Sequence, residues 1–567
     1  MYAPLAFRSP AKGLGWLWRL LVLLTLSTWA AGCASLPANV QRTPSRAFDA
    51  PDETALGRLV QARRLQARAR SDSGFTLLDS VDSAFTSRLA LIDRAQRSLD
   101  LQYYAIHADA STAVLMERIR SAARRGVRVR ILLDDFNTVG EDAQVLRLAF
   151  EPGIELRLFN PVAGPRGSLV TRVLGSLHDV EGMQKRMHNK LFIADNAWGI
   201  TGGRNLGDAY FGDDDKSNFV DLDVLATGRI VRDMSTSFDR YWNDELAYPV
   251  EALLEPKDLE RLRKDVPKAA DPASAPASAQ QPTLSPAKST VLPNVTATEV
   301  VSAERPPMDL QRVPLTWAPS LLMADKPGKI GPGDEEANAG ETVVDGLLQL
   351  MQQARRELLI VSPYFVPGEA MMKEFAELRR RGIAIRVLTN SLASNDAPAA
   401  HAGYRRYRRE LLAMGVELYE MRADPASAGL GSRGSARKSG GSGVSLGSTA
   451  GGSKSGSSRA SLHSKAVIID RQLSVIGSMN LDLRSQRKNS EVALVIRGPA
   501  LAQACAGLIE TSLARGAYRV ELAEGGDLRW RAPPGAPFKD TTSEPEAPLK
   551  LRALVNLLAP IAPDEML

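Results

Sequence analysis

The sequence predicts an α/β fold that is made twice in one chain. Two observations predict it. Amphipathic helical segments alternate with short apolar strands in both halves of the 567 residues, which is the pattern of α/β domains. A set of His, Lys, Asp, Gly and Asn residues also recurs at one fixed spacing in each half, as expected of an internal repeat.

Each half has the same predicted order of elements. A helix and a strand come first, then a second helix, a glycine and a β-branched strand, and then a third short strand. Gly126 and Gly382 stand just past the second helix of each half, where glycine commonly ends a helix. The matching segments, first half and then second, are 90–106 and 348–366, 115–135 and 371–390, and 153–159 and 415–421.

Composition divides the chain into domains and connectors. Stretches rich in Pro, Ala, Gly and Ser bury too little apolar area to offset the entropy of ordering. We therefore expect a connector after the N-terminal leader, a linker between the halves and an insert in the second half. The predicted organisation is a leader at 1–32, a tether at 33–75, a first domain at 76–255, a largely disordered linker at 256–340, a second domain at 341–525 with a Gly/Ser-rich insert at 424–460, and a tail at 526–567.

The N-terminus has the features of a lipoprotein leader. Arg8, Lys12 and Arg19 precede the apolar run LLVLLTLSTWAAG, which ends in three small residues directly before Cys33. This is the order of a secretory signal, and it resembles a bacterial lipobox with Cys33 as the lipidated residue. Because Ala34 follows rather than Asp, we expect a periplasm-facing lipoprotein of the bacterial cell envelope, with the outer membrane favoured. The alternative is an uncleaved anchor helix with an incidental cysteine.

Charge and cysteine content narrow the class of protein. The net charge is +6 and the pI is about 9.2, which suits an anionic partner such as phospholipid headgroups or nucleic acid. Two cysteines exclude a disulfide framework. The five histidines form no cluster with the spacing of metal ligands, so we expect no metal.

The repeated polar set surrounds an apolar strand. In MHNKLFIADNAWGITGGRN (187–205), alternation of side chains places His188 and Lys190 on one face and Asp195 on the other. We therefore expect Asp195 to anchor the backbone or to accept a hydrogen bond under the site. A glycine turn then returns Asn205 towards His188. In LHSKAVIIDRQLSVIGSMN (462–480) the corresponding residues are His463, Lys465, Asp470 and Asn480.

These residue types suit a phosphate group. Lys supplies a fixed positive charge, Asn supplies an amide donor without adding negative charge, and His can act as a nucleophile or carry a proton near neutral pH. One His cannot do both in a single displacement at phosphorus. Two copies that face each other across a pseudo-twofold axis supply both, so each half is predicted to contribute half of one active site.

The spacing HxKx4Dx6G[GS]xN, present twice without a gap, resembles the phospholipase D superfamily over most of 80–255 and 341–500. The resemblance implies two α/β domains, each with a mixed sheet between helices, and a reaction through a phosphohistidine without metal or other cofactor. It implies His188 as the nucleophile and His463 as the acid. It also implies an acidic residue after each motif to hold a histidine: Glu491 in the second half and Asp221 in the first, with Asp223 as the alternative.

Three further segments resemble bacterial cardiolipin synthases of the C-type subgroup: FDRYWNDELAYPV (238–250), SPYFVPG (362–368) and TNSLASNDAPAAHAGYRRYRRELL (389–412). The resemblance implies phosphatidyl transfer to phosphatidylglycerol, with or without phosphatidylethanolamine as a second lipid. It implies a membrane surface and no nucleic acid as partner, and a monomer that holds both half-sites. Tyr364 is a pocket wall or a core residue, and His401 is a headgroup contact or a helix-surface residue.

Two other functions remain open from the sequence. A hydrolase of the phospholipase D type, either a lipase or a nuclease, would use the same residues. A non-catalytic binder of anionic lipid would keep the fold alone, although two intact sets argue against it. The C-terminal segment LRALVNLLAPIAP (551–563) is predicted to dock on the second domain, with a membrane-surface helix as the alternative.

Overall fold

The computed structural model describes residues 36–37, 39–138, 140–162, 180–212, 217–254, 260, 305–331, 342–424 and 459–559. The leader, Cys33 and almost the whole Gly/Ser-rich insert therefore lie outside the described residues. Within those ranges no helix combines the length and the apolar composition needed to cross a membrane.

Two large sheets organise the described chain, with nine strands in each. Eight strands have the same order in both: β10-β4-β3-β2-β6-β7-β9-β1 in the first half and β23-β16-β15-β13-β18-β19-β22-β12 in the second. Each sheet adds one edge strand, β11 beside β1 and β24 beside β23. The strands are β1 Ser73–Leu78, β2 Ser98–Tyr103, β3 Arg128–Asp134, β4 Ile154–Phe159, β5 Arg186–Met187, β6 Leu191–Ala194, β7 Trp198–Gly202, β8 Ser217–Val220, β9 Asp223–Gly228, β10 Ala247–Pro249, β11 Thr316–Trp317, β12 Ser320–Ala324, β13 Glu357–Val361, β14 Phe365–Val366, β15 Ala384–Asn390, β16 Glu417–Met421, β17 Arg459–Leu462, β18 Ala466–Ile469, β19 Leu473–Gly477, β20 Leu481–Asp482, β21 Asn489–Ser490, β22 Val492–Arg497, β23 Ala517–Leu522 and β24 Leu528–Arg531.

Both sheets are mixed, which confirms the predicted fold class. β2, β3 and β4 run parallel, as do β13, β15 and β16, whereas the hairpins β6–β7 and β18–β19 are antiparallel. The helices are α1 Ala55–Gln66, α2 Val81–Arg94, α3 Ala110–Arg124, α4 Val180–Gln184, α5 Asp208–Phe211, α6 Arg229–Trp242, α7 Val343–Gln352, α8 Gly368–Arg380, α9 Pro398–Ala413, α10 Leu483–Arg487, α11 Pro499–Gly516 and α12 Leu549–Leu558.

The predicted order of helices and strands is confirmed in both halves. The helix before each β-branched strand ends at a glycine with positive φ, 90° at Gly126 and 79° at Gly382, a conformation that costs glycine little. Such a stop sets where β3 and β15 begin, and the far ends of these strands lie beside the motif residues.

An apolar core joins the two halves. One cluster of buried side chains contains residues of both sheets, such as Ile193 and Val224 from the first and Ile468 and Leu494 from the second, together with residues of α6 and α11. Separate clusters pack α2 and α3 on the first sheet and α7 and α8 on the second. The halves are thus fixed against each other by an interface that resembles a domain core.

Two predicted connectors, the tether and the linker, prove to be partly structured, and so does the predicted tail. The tether contains α1, whose Leu56 and Val60 are buried in the first core. The end of the linker forms β11 on the first sheet and β12 on the second, so this segment connects the two sheets. The tail contributes β24 and α12. Short apolar segments within a polar stretch supply these elements, and the averaged composition obscured them.

The C-terminal helix docks on the second domain, as the sequence predicts. Val555 of α12 is buried in a small cluster with Ala402 of α9 and Leu392. Leu549, Leu554 and Leu557 remain exposed on its outer side.

Candidate active site

Two short parallel ladders carry the motif histidines across the interface between the halves. β5 pairs with β21, with Met187 opposite Ser490, and β17 pairs with β8, with Leu462 opposite Val220. The next position of each ladder therefore faces His188 towards Glu491 and His463 towards Asp221. The ladders continue through the amides of His188 and His463, which donate to the carbonyls of Ser490 and Val220 at 2.9 Å in both cases.

Each histidine is held by an acid from the other half. The Nδ1 atom of His188 lies 2.9 Å from a carboxylate oxygen of Glu491, and that of His463 lies 2.6 Å from Asp221. Both acids are fully buried, and the histidines are 8% and 6% exposed. Since an ionised carboxylate only accepts hydrogen bonds, Nδ1 carries the proton and the lone pair of Nε2 points away from the acid.

Asp223, the alternative to Asp221, has a different partner. Its carboxylate accepts from Arg88 at 2.9 Å and lies 3.5 Å from Arg204, all three being buried. It also lies three residues beyond the end of the β8–β17 ladder, at the start of β9. The geometry therefore selects Asp221 as the acid that faces His463.

The aspartates of the two motifs anchor backbone, as the alternation of side chains predicts. Asp195 accepts from the amides of Gln96, Arg97 and Ser98, the residues that lead into β2. Asp470 accepts in the same way from the three residues that lead into β13. Both adopt a positive φ, 51° and 53°, in the tight turn of a hairpin, where Asp is one of the favoured residues.

The predicted strand HNKLFIAD is shorter than expected. Only Leu191–Ala194 belong to the first sheet, and the His-x-Lys triplet precedes it; the second half shows the same break before Ala466. The triplet leaves the ladder because its histidine amide pairs with the other half instead. Within it, Lys190 Nζ donates to the carbonyl of His188 at 2.8 Å, and Lys465 does so to His463 at 2.6 Å.

The two asparagines line the site differently. Asn205 Nδ2 donates to the hydroxyl of Tyr210 at 2.9 Å, and its Oδ1 accepts from the amide of Ala105. Asn480 is 4% exposed, and its Oδ1 has no partner in the described chain. The second-half amide is thus available to a ligand, while the first-half amide holds an aromatic ring in place.

The turns beneath the acids differ between the halves. A Cβ on Gly203 would lie 2.1 Å from a carboxylate oxygen of Asp221, so no side chain fits there. At the matching position the hydroxyl of Ser478 donates to Glu491. Asp221 therefore requires glycine at position 203, whereas Glu491 gains a second hydrogen bond from Ser478.

Burial sets the protonation of the site. It lowers the pKa of His188 to about 4, with Glu491 opposing the shift and Lys190 adding to it. Burial and the charge of Lys465 also lower the pKa of His463. Burial alone would raise the pKa of Glu491 and Asp221, but the facing histidines outweigh it and bring both to about 2. At neutral pH both histidines are therefore neutral and both acids ionised.

The two motif lysines, Lys190 and Lys465, interact electrostatically across the interface. Burial lowers the pKa of Lys190 to about 7 and that of Lys465 to about 8. Lys465 contributes to the lowered pKa of Lys190 and of His188, and Lys190 to that of His463. The two motifs thus form one cationic site, and an anion bound there would favour the charged forms of all four groups.

Aromatic rings surround both imidazoles. Tyr104 meets His188 edge-on with ring centres 5.2 Å apart. Tyr210 and Phe219 lie 5.5 and 5.0 Å from His463. Tyr210 sits five residues after Asn205, and a search for aromatics close to each motif would have found it.

The two predicted substrate contacts lie in different places. Tyr364 is half-buried, and its hydroxyl donates to Asp396 at 2.9 Å; burial raises its pKa, and Tyr210 adds to the shift. His401 is fully buried, with Nε2 3.0 Å from a guanidinium nitrogen of Arg408 and 3.5 Å from Glu544 of the tail. The structure thus assigns His401 to the packing of the tail, which corrects both sequence interpretations.

Comparison with known proteins identifies the family. The family described as "Cardiolipin synthase, PLD-like domain" matches residues 89–242 and 347–512. Cardiolipin synthase C of Escherichia coli (strain K12) is 35% identical over 463 residues, which are 80% of this chain and 88% of that protein. An uncharacterized protein of Helicobacter pylori (strain ATCC 700392 / 26695) is 32% identical over 83% of this chain and 85% of its own length.

A solved structure shares the fold. Phosphatidylserine synthase of Haemophilus influenzae Rd KW20 covers 89% of this chain and 98% of its own, with a TM-score of 0.52 at 14% identity. Together with the family match and the relatives above 30% identity, the paired motifs show that this chain belongs to the cardiolipin synthase family of phospholipase D-like proteins.

Proposed function

We propose that the protein is a cardiolipin synthase that transfers a phosphatidyl group to phosphatidylglycerol through a phosphohistidine on His188. The observation that carries the proposal is the pair of neutral imidazoles, each held at Nδ1 by an acid of the other half, in a chain of this family. One imidazole can attack phosphorus while the other handles the proton of the alcohol.

In the first step, Nε2 of His188 attacks the phosphorus of a donor phosphatidylglycerol. The bond from phosphorus to the glycerol oxygen breaks, and His463 gives a proton to that oxygen. The negative phosphodiester raises the pKa of His463 when it binds, so the acid is charged when it is needed. Lys190 and Lys465 hold the phosphoryl oxygens, and Nδ2 of Asn480 donates a neutral hydrogen bond to one of them.

In the second step, the hydroxyl of another phosphatidylglycerol gives its proton to His463. Its oxygen attacks the phosphorus, the bond to His188 breaks, and cardiolipin leaves. Glu491 and Asp221 keep each ring in the tautomer and orientation that both steps need. A lipid anchor on Cys33 would keep this site at the envelope membrane, where acceptor headgroups are concentrated.

The test is purified protein in phosphatidylglycerol vesicles, with and without phosphatidylethanolamine, and lipid products measured by mass spectrometry. We expect cardiolipin as the main product and unchanged turnover in EDTA. Full loss on chelation, restored by one divalent ion, would contradict the metal-free mechanism.

Other products would select another function. Phosphatidic acid as the main product with ample acceptor would make the protein a lipase of the phospholipase D type. Cleavage of single-stranded DNA without lipid turnover would make it a nuclease. Vesicle binding without any turnover would leave a non-catalytic binder.

A further inference from the structure

Charged groups flank a tyrosine in each half of the site. Tyr104 lies edge-on to His188, and burial raises its pKa; the charge of Asp134 adds to the shift, and those of Arg484 and Arg186 oppose it. In the second half burial raises the pKa of Tyr364, and the carboxylate of Asp396, its hydrogen-bond partner, adds to the shift.

Tyr364 lies next to the second motif through the backbone. β14, which begins directly after it, pairs with β20 just after Asn480, and Ser362 Oγ links the Tyr364 carbonyl to the amide of Leu481. In the first half the matching bridge joins Ile106 to Leu206, so the residue that corresponds to Tyr364 is Ala105. The tyrosine and its carboxylate partner are therefore particular to the second half.

Asp396 presents an accessible carboxylate. Its two oxygens lie 3.0 and 2.9 Å from the Tyr364 hydroxyl, which can donate only one hydrogen bond. The residue is exposed, so its remaining lone pairs face solvent. The carbonyl of the preceding Asn395 accepts from Arg459 at the start of β17, the strand that leads directly to His463.

The charge of Asp396 reaches the site. It raises the pKa of Tyr210, whose ring lies edge-on to His463, and it supports the charged form of Lys465. A carboxylate in that position repels a phosphate, so it does not bind the phosphoryl group. It suits a neutral or cationic part of the substrate that donates hydrogen bonds.

We propose that Asp396 and Tyr364 form the subsite for the headgroup alcohol, and that Asp396 accepts hydrogen bonds from its free hydroxyls. The inference rests on the proposed function, in which His463 exchanges a proton with the leaving glycerol and then with the attacking glycerol. Both alcohols must occupy the side of the site next to His463. The spare hydroxyl of a glycerol then meets Asp396, and a simple alcohol finds no partner there.

Soluble alcohols test this directly. Full-length protein in phosphatidylglycerol vesicles is given equal concentrations of deuterated glycerol and 1-propanol, and the ratio of labelled phosphatidylglycerol to phosphatidylpropanol is measured by mass spectrometry. We expect wild type to favour glycerol and Asp396→Asn to lower the ratio about tenfold, the size expected for a hydrogen bond to a charged group. Tyr364→Phe, which keeps the carboxylate, should lower it less.

Controls separate recognition from structure. Glu410→Gln removes an exposed carboxylate on α9 and should leave the ratio unchanged. A variant that merely disturbs the site lowers both products together, so an unchanged ratio in Asp396→Asn with reduced turnover would overturn the proposal. An unchanged ratio in both variants at full turnover would overturn it equally.

Two further outcomes are distinct. In a parallel assay with ethanolamine and 1-propanol, a selectivity loss in Asp396→Asn that spares glycerol would replace the hydroxyl assignment with an ammonium site. If wild type forms no phosphatidyl product with any alcohol, the transferase function itself fails, whatever Asp396 does.

Discussion

The His188 and His463 halves of the site solve the same problem with different residues. Glu491 reaches His188 and is steadied by the Ser478 hydroxyl, whereas Asp221 reaches His463 over a bare Gly203. A glutamate is longer and has one more rotatable bond, so it loses more entropy when it is fixed. The extra hydrogen bond from Ser478 compensates for that freedom.

The comparison teaches that the repeats are interdependent. Asp221 contacts the turn at Gly203 in its own half, and Glu491 contacts the turn at Ser478 in its own half. Each acid nevertheless forms its hydrogen bond with the histidine of the other half. Among the described residues, neither half alone supplies the acid that holds its own motif histidine. Selection at the acid, the turn and the distant histidine must therefore act together, and each substitution below breaks one side of this arrangement.

The largest effect should follow replacement of the histidines themselves. His188→Ala should abolish turnover, because no nucleophile remains, and His463→Ala should lower turnover by about 10²–10⁴-fold, the usual cost of losing a general acid. A donor with a p-nitrophenol leaving group, which needs little protonation, distinguishes them: His463→Ala should still release a burst of p-nitrophenolate.

Acid quenching of enzyme with labelled donor should place the label on His188. Label on His463, or a burst in His188→Ala, would reverse the two roles. Both variants should keep the wild-type circular dichroism spectrum but melt below wild type, since each leaves a buried carboxylate without its histidine.

The next largest effect should come from exchanging the turns. Gly203→Ser puts a Cβ where Asp221 now lies, displaces that carboxylate and should lower turnover to the level of His463→Ala. Ser478→Gly removes one hydrogen bond to a charged acid and should lower turnover only about tenfold. Equal effects of the two changes would show that the turns are equivalent. Circular dichroism and melting temperature serve as controls for folding.

Sequence reasoning predicted much of this arrangement and missed its connectivity. The glycine stops and the two motifs could be identified, because helix ends, hairpin turns and polar groups on apolar strands leave local signals. The acids came from the family resemblance, which left Asp221 and Asp223 as alternatives. The sequence could not predict that each acid faces the histidine of the other half, because ladders such as β5–β21 join residues about three hundred positions apart through two-residue strands. Nothing in a strand of that length specifies its partner.

Burial was also beyond the sequence. His401 has the polar neighbours of a surface or ligand-binding residue, but Glu544 from the tail covers it and Arg408 pairs with it. The segments 55–66 and 316–324 sit in polar surroundings that predict connectors, yet Leu56 and the β12 ladder fix them to the cores. Such positions depend on long-range packing, which local composition does not report.

The pH dependence of turnover should also differ between the two halves, with a smaller effect than the substitutions above. As pH falls through about 4, His188 gains a proton and loses its lone pair; as pH rises through about 7, Lys190 loses its charge before Lys465, whose pKa is about 8. The profile of kcat/KM, which reports free enzyme, should fall below about pH 4 and on the alkaline side, where Lys190 loses its charge and His463, whose pKa burial lowers, lacks the proton that it must give.

Lys190→Met should move the alkaline limb of the remaining activity up to about 8, the pKa of Lys465. Lys465→Met removes a charge that helps to lower the pKa of Lys190, so it should move that limb above 7. A limb that stays at one pH in both variants would show that neither lysine titrates there.

The smallest effect should come from equalising the loops that precede the two motifs. Both halves have residues outside the described chain at this point, 163–179 before β5 and 425–458 before β17. Replacing 425–458 by the shorter first-half sequence should change the melting temperature little, because closure entropy depends only weakly on loop length. Turnover should also persist, since β17 keeps its ladder with β8.

A large drop in melting temperature would show that the insert packs on the fold. Normal melting with lost turnover on vesicles, but not on a soluble p-nitrophenyl donor, would give the insert a role at the membrane that the first half lacks.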